Sequence, residues 1–238
     1  MSLIVPYYRK DYIGENINYI VNGKNLSTFI KPKENIFTKN NPTSAIVLGN
    51  GLTRNYPDTQ LLLKINSKKL LAGYKVVYAC NRAVEDVIDY DYYVLKHPTF
   101  MSTAPEYKFN QIYLPNDIFI KFKEQCNLIP YISYFDSGAS AAYLACFDGH
   151  KKVFLFGFDR DYGTGWRTVY DGRDPYTEDN LYPNITASNE YMFNVMKTYK
   201  DVSFYRVQMD GAEPPASWNS LPNFYNVTKR QAVLAGDF

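Results

Sequence analysis

SAIVLGNG, residues 44–51, runs four consecutive apolar residues directly into Gly-Asn-Gly. A strand wetted on one face alternates apolar with polar side chains; a strand that is apolar throughout is covered on both faces, as in a parallel sheet. Glycine on both sides of an asparagine then stops the strand at a tight turn. Outward from this piece the same rhythm repeats. PDTQLLLKI, residues 57–65, predicts a helix with Asp58 or Thr59 as its cap. YKVVYACN, residues 74–81, is a second β-rich run with a polar end, and residues 83–100 hold a short helix and a third strand, DYYVLK. QIYLPNDIF (111–119) and LIPYIS (128–133) continue the alternation. SGASAAYLACFDGH, residues 137–150, has the small residues of a helix packed closely on a sheet, and KKVFLFGFD, residues 151–159, is the clearest strand in the chain. ASNEYMFNVMKTYK predicts a helix opened by Ser188 or Asn189, and DVSFYRVQ (201–208) a further strand. Strands separated by helices imply an α/β fold with a mostly parallel sheet and helices on both faces.

Three regions stand outside that rhythm. Residues 1–43 alternate short apolar pieces with Asn, Lys and Pro, an N-terminal arm or accessory element. Residues 160–187 have turn signals and no sustained apolar period, the profile of a lid-like excursion. The tail from Gly211 to Phe238 has three prolines and packs on the main domain, residues 44–210.

The totals narrow the function classes. A chain of 238 residues with 46% hydrophobic content suffices for one well-packed core. Its 26 basic and 24 acidic residues give a formal charge of +2, without the concentrated basic patch that a nucleic acid needs. Cys80, Cys126 and Cys146 form no CxxC and no ligand cluster, which suits a reducing compartment. The opening MSLIVPYYRK has only a short apolar run, so neither a signal peptide nor an integral membrane segment is expected, and the cytoplasm is the expected location. Tyrosine is abundant, at 23 residues. Such surfaces are compatible with self-association, but the oligomeric state is not readable from them.

In a parallel sheet, ligands collect beyond the strand carboxyl ends, at the point where the strand order reverses. Four distinctive pieces fall at strand ends. Gly49-Asn50-Gly51 lets the backbone approach a ligand and offers N–H groups to a phosphate, with Asn50 suited to a ribose or base edge; the plain alternative is a strand-terminating turn. Asn81 closes the second strand, as a ligand amide or a cap. Ser137 and Gly138 open a helix whose N-terminus favours an anion, although a serine N-cap needs no ligand. Asp159 ends the strongest strand, as a carboxylate at the mouth of the site. Asp159-x-Asp161 has the form that metal-dependent sugar transferases place on a divalent ion. The spacing recurs at Asp89 and Asp91, and no metal ligand set is assigned. His97, after the third strand, is the histidine available as a base, while His150 sits at the opposite end of its strand from Asp159 and is structural or solvated. Tyr162, Trp166, Arg167, Tyr170 and Arg173 mix aromatic and cationic groups in the excursion, suited to stacking on a base and holding a phosphate. There is neither a GxGxxG nor a GxSxG motif.

The order of GNG (49–51), YACNRAVED (78–86), SGASAAYLACFDGHKKVFLFGFD (137–159) and a helix running into KTYK resembles the bacterial sialyltransferases that decorate lipooligosaccharide. It is also similar to the broader related family that includes archaeal hydroxymethylpterin diphosphokinase-like proteins. The resemblance spans residues 44–207 and implies a Rossmann-like sheet with a lid, a cytidine monophosphate sugar as donor, and no required metal. By that resemblance Asn50 and Gly51 meet the donor's phosphate and ribose, and Asn81 its nucleotide or sugar. Ser137 and Gly138 line the pocket, with Asp159 beneath the lid. The chain departs from the family at two places. Tyr182, Pro183 and Asn184 stand where the family keeps its general-base histidine, and of its paired tyrosines Tyr162 matches one with a one-residue shift and Tyr170 only approximately. Tyr162 would then steady the leaving phosphate and Asp159, or His97, would serve as base. Three readings follow. The first is a glycosyltransferase-like protein that takes a nucleotide sugar, CMP-sugar favoured, and a hydroxyl-bearing glycan acceptor. The second is a non-catalytic nucleotide- or glycan-binding protein. The third is a pyrophosphokinase acting on a small heterocyclic alcohol, which alone requires Mg²⁺.

Overall fold

A computed structural model describes residues 3–7, 17–21, 44–67, 75–115, 118, 121, 122, 126–129, 135–158, 185–208 and 213–232. Ten strands are described: β1 Leu3–Tyr7, β2 Ile17–Val21, β3 Ser44–Leu48, β4 Val76–Cys80, β5 Tyr92–Val94, β6 Ile112–Leu114, β7 Asn127–Leu128, β8 Lys152–Phe156, β9 Ser203–Gln208 and β10 Phe224–Thr228. The helices are α1 Pro57–Ser67, α2 Thr99–Thr103, α3 Ser137–Phe147, α4 Ile185–Thr198, α5 Ala216–Asn219 and α6 Lys229–Ala232. Strands β1 and β2 pair antiparallel as a two-stranded sheet of their own.

The main sheet has eight strands in the order β10-β9-β8-β3-β4-β5-β6-β7, and every neighbouring pair is parallel. Alternate residues of the central strands enter two separate cores. Ala45, Val47, Val76, Tyr78, Val153 and Leu155 face α3 and α4. Ile46, Leu48, Val77, Ala79, Phe154 and Phe156 face Leu63 of α1, with Phe100 and Met101 of α2. The uninterrupted apolar runs of β3 and β8 therefore have the expected cause: neither face of these strands meets water. This is a mostly parallel, Rossmann-like α/β sheet with helices on both faces.

Helix α3 is buried along Ala139–Phe147. It lies against β3, β4, β5 and β8 on one side and α4 on the other. Its alanines permit that approach, because a large side chain at each would hold helix and sheet apart.

Several boundaries differ from expectation. Helix α1 begins at Pro57, ahead of Asp58 and Thr59; proline suits a first helical position, where its missing N–H has no partner to lose. Helix α4 begins at Ile185, so residues 185–187 belong to a helix and not to the excursion, and Ser188 is buried inside its first turn. The short helix after β4 is a 3-10 turn, Asn81–Glu85. Within the expected tail, β10 joins the sheet edge in parallel with β9, from Phe224 opposite Phe204 to Thr228 opposite Gln208. No helix of the described residues is long and apolar enough to cross a membrane.

Candidate functional site

After β3 the chain steps outward through β4, β5, β6 and β7, then returns to place β8 on the other side of β3. The strand order reverses between β3 and β8, so a ligand crevice belongs at their carboxyl ends. Two glycines let these ends close together. Gly49 N–H donates to Phe156 O at 2.8 Å and Gly51 N–H to Gly157 O at 2.9 Å. A Cβ on Gly49 would lie 2.5 Å from the Gly157 carbonyl oxygen, and one on Gly157 would lie 2.8 Å from that of Gly49. Gly157 also has φ +69, a conformation that costs other residues free energy. Gly157 was not among the expected site residues; its signal was the GFD that follows KVFLF.

This bonding changes the role expected of the Gly-Asn-Gly backbone. The Gly49 and Gly51 N–H groups are directed to β8, so they do not cradle a phosphate; the glycines instead admit close contact between strands. The side chain of Asn50, half-buried at the turn, is the polar group that the turn adds. Asn50 Oδ1 accepts from Arg54 Nη1 at 3.1 Å, and Arg54 Nη2 pairs with the Asp86 carboxylate. Tyr90 OH donates to the same Asp86 oxygen at 3.2 Å. Lys108, itself buried, donates from Nζ to the carbonyls of Val84 at 3.0 Å and Asp86 at 3.2 Å.

Asn81 holds the next corner. It is the described non-glycine residue with positive φ, at 49°, which asparagine tolerates better than most. Its Nδ2 donates to Ser137 Oγ at 2.9 Å and its Oδ1 accepts from Lys96 N–H at 3.1 Å. Both ends of the amide are thus used to tie β4 to α3 and to the loop after β5, a strut that positions Ser137. The N-cap of α3 is Asp136, not Ser137: its carboxylate accepts from Ala139 N–H at 2.7 Å. An anion arriving at this helix N-terminus would meet the chain's own carboxylate there. Gly138 lies under the Phe158 ring, which a Cβ would approach to 2.9 Å, and the same ring lies 3.2 Å from a Cβ on Gly49. Phe158 therefore joins the β3 turn to the start of α3.

Cys80, buried beneath this arrangement, has its thiol pushed up to about 12. Burial is the main cause, followed by the nearby Asp136 charge; Arg54 and a hydrogen bond with Ser137 act in the opposite direction. It is no nucleophile near neutral pH. On the far side of β8, Arg206 is buried in β9, donating from Nε to Phe158 O at 3.1 Å and from Nη1 to Asn226 Oδ1 at 2.9 Å. The fold thus gathers Gly49, Asn50, Gly51, Asn81, Ser137 and Gly138 at one end of the sheet. It adds Arg54, Asp86, Asp136, Gly157, Phe158 and Arg206, which pattern alone did not single out.

Asp159, Tyr162, Asp161 and the other excursion residues, including Tyr182, Pro183 and Asn184, lie outside the described residues. His97 is exposed, with Nδ1 accepting from Thr99 N–H at 3.3 Å at the start of α2. His150 is fully buried near the amino end of β8, with Nε2 3.1 Å from Tyr78 OH, which donates to Asp148 Oδ2 at 2.6 Å. Among the described residues no group of three or more His, Cys, Asp or Glu side chains could hold a metal ion.

No protein-family model matches the chain, and no curated protein matches it in sequence. Among solved structures, it is similar to a monofunctional α-2,3-sialyltransferase from Campylobacter jejuni, with 17% identity and a TM-score of 0.49 over 81% of this chain and 84% of that one. It is also similar to an α-2,3-sialyltransferase from the same organism in its apo form, with 16% identity and a TM-score of 0.46 over 83% and 88% of the two chains. A third match, a Campylobacter jejuni sialyltransferase in complex with cytidine-5'-monophosphate, has 16% identity and a TM-score of 0.41 over 68% and 79%. The Rossmann-like assignment rests on the strand order and register, not on these likenesses.

Proposed function

We propose that the chain binds a nucleotide-activated sugar, a CMP-sugar above all, in the crevice between the carboxyl ends of β3 and β8, and transfers its glycosyl group to a hydroxyl acceptor. The observation that supports this reading most is the grouping of half-buried Asn50, Asn81, Ser137 and Gly138 around the switch point of a parallel sheet. CMP is favoured by the resemblance in motif order. Asn50 contacts the phosphate and ribose side of the donor, while Ser137, held by Asn81, faces its sugar. Asp159 is the base for the acceptor hydroxyl and Tyr162 steadies the leaving nucleotide, the two roles that complete the transfer.

A thermal-shift screen tests the reading, using CMP, CDP, UDP, GDP and ATP, each with and without Mg²⁺. Selective stabilisation by CMP without metal supports it, and hydrolysis or transfer from the matching activated sugar would establish turnover. Stabilisation by CMP with no turnover from any CMP-sugar would favour a binding protein. Stabilisation by ATP only with Mg²⁺ would replace the reading by pyrophosphoryl transfer. No response across the panel would overturn the nucleotide site.

A further inference from the structure

We propose that the glycosyl group taken by this crevice is uncharged and hydroxyl-bearing, and that Asp136 determines that choice: its carboxylate keeps out a sugar that carries a carboxylate of its own. This rests on the crevice being a nucleotide-sugar site, as proposed above, and concerns the class of sugar on the donor.

Asp136 stands directly before α3, and its carboxylate is held there. Oδ1 accepts from Ala139 N–H at 2.7 Å, and the backbone carbonyl accepts from Ser140 N–H at 2.9 Å. The carboxylate lies on the inner wall of the crevice. A Cβ on Gly138 would be 3.4 Å from Asp136 Oδ1 and 2.9 Å from the Phe158 ring, and a Cβ on Gly49 would be 3.2 Å from that same ring. Carboxylate, ring and β3 turn thus stand side by side, next to Ser137. Asp136 and Ser137 are both half-buried, so each can meet a ligand.

Among the described residues no ion pair neutralises this carboxylate: Arg54 pairs with Asp86, and Arg82 with Glu85. A helix N-terminus offers an anion the equivalent of about half a positive charge. At α3 that place is already filled by Asp136. Its charge reaches the end of β4, where, after burial, it is the next cause holding up the Cys80 thiol. A sugar carboxylate laid against Ser137 would therefore meet a fixed like charge at short range. A sugar hydroxyl would meet the opposite, because a carboxylate accepts several bonds and Asp136 gives one of them to Ala139.

The test measures affinity within two pairs of probes, CMP against CMP-N-acetylneuraminate and CDP against CDP-glucose, for the wild type, Asp136→Asn and Asp136→Ser. Each pair shares its base and its number of phosphates, so the ratio within it reports the sugar. The wild type should bind the carboxylated CMP-N-acetylneuraminate about tenfold more weakly than CMP, and CDP-glucose within about threefold of CDP. Asparagine and serine cap a helix about as well as aspartate, so both variants should keep their Tm while losing the charge. Each should bring CMP-N-acetylneuraminate to within about twofold of CMP and leave the CDP-glucose ratio where it was. Wild-type affinity for CMP-N-acetylneuraminate equal to that for CMP, or a ratio that neither variant moves, would overturn the proposal. So would a tenfold penalty on CDP-glucose, since the crevice would then be rejecting sugars by size and not by charge. A wild type that binds neither CMP nor CDP would sink the nucleotide reading itself.

Discussion

Toward the amino end of the sheet, Tyr78, Asp148 and His150 are sealed from water, and the Tyr78 hydroxyl bonds to Asp148 at 2.6 Å and to His150 at 3.1 Å. Asn66 and Lys75 close the same region by a reciprocal amide–backbone pair, at 2.8 Å and 2.9 Å, and both are buried. At the carboxyl end, Asn50, Asn81, Asp86, Asp136 and Ser137 also have partners, but each remains half-buried. Polar residues thus do two kinds of work in one sheet. A sealed network sets the packing of the core, since an orphaned buried polar group is costly. A half-exposed one is held in place and can still reach a ligand. The difference lies in access, not in the number of polar residues.

The strongest way to break this contrast is at the glycine contact, because it belongs to both core and crevice. Gly49→Ala, whose Cβ would meet a backbone carbonyl, should cost about 3 kcal/mol or more, read as the urea midpoint, and abolish CMP stabilisation. Asp148→Ala tests the sealed end. It should cost about 2 kcal/mol by leaving the Tyr78 hydroxyl without its carboxylate acceptor, with CMP affinity unchanged. A change in affinity there would erase the distinction between the ends. Asn81→Gly sharpens the contrast from the other side. Glycine accepts the φ of 49° without strain, so the stability loss should be only about 1 kcal/mol, from the lost amide bonds. CMP-sugar affinity should nonetheless fall, because Ser137 loses its anchor; isothermal titration would show it.

The smallest effect at neutral pH concerns buried tyrosines. Burial, the main cause, holds the Tyr93 and Tyr199 hydroxyls protonated well above the ordinary tyrosine range. Their contribution is fully present below pH about 10, the unfolded value, and is lost as pH rises toward the folded values, because unfolding then releases protons. Urea midpoints should therefore fall above pH about 10, and Tyr199→Phe should make that fall shallower.

Much of the fold was readable because its cause is local. The apolar runs of β3, β4 and β8 state that both faces are covered, and the small residues of α3 state that it packs closely. Gly-Asn-Gly and Ser-Gly marked strand and helix ends that the sheet order brings together. Arg54 was not readable, since an arginine after a turn has the pattern of a surface cation until Asp86 and Gln60 close around it. The cap of α3 was misplaced by one residue because aspartate and serine are both good N-caps and stand side by side. Strand β10 was hidden behind prolines; it forms by adding to the open edge of β9, and its own pattern is mixed.

By itself the sequence determined a parallel α/β sheet and the strand and helix ends, marked by Gly-Asn-Gly and Ser-Gly, at which a sheet of this kind would collect a ligand. Periodicity and backbone permissiveness are properties of neighbouring residues, so they are written along the chain. Only the tertiary structure decided which side chains meet at that end of the sheet, and that the glycines there let β3 and β8 approach. Arg54 finds Asp86 across 32 residues, Arg206 finds Phe158 across 48, and Asn81 finds Ser137 across 56. Such partners are chosen by where the sheet places each strand end, and the same donors and acceptors would read alike on any solvated loop.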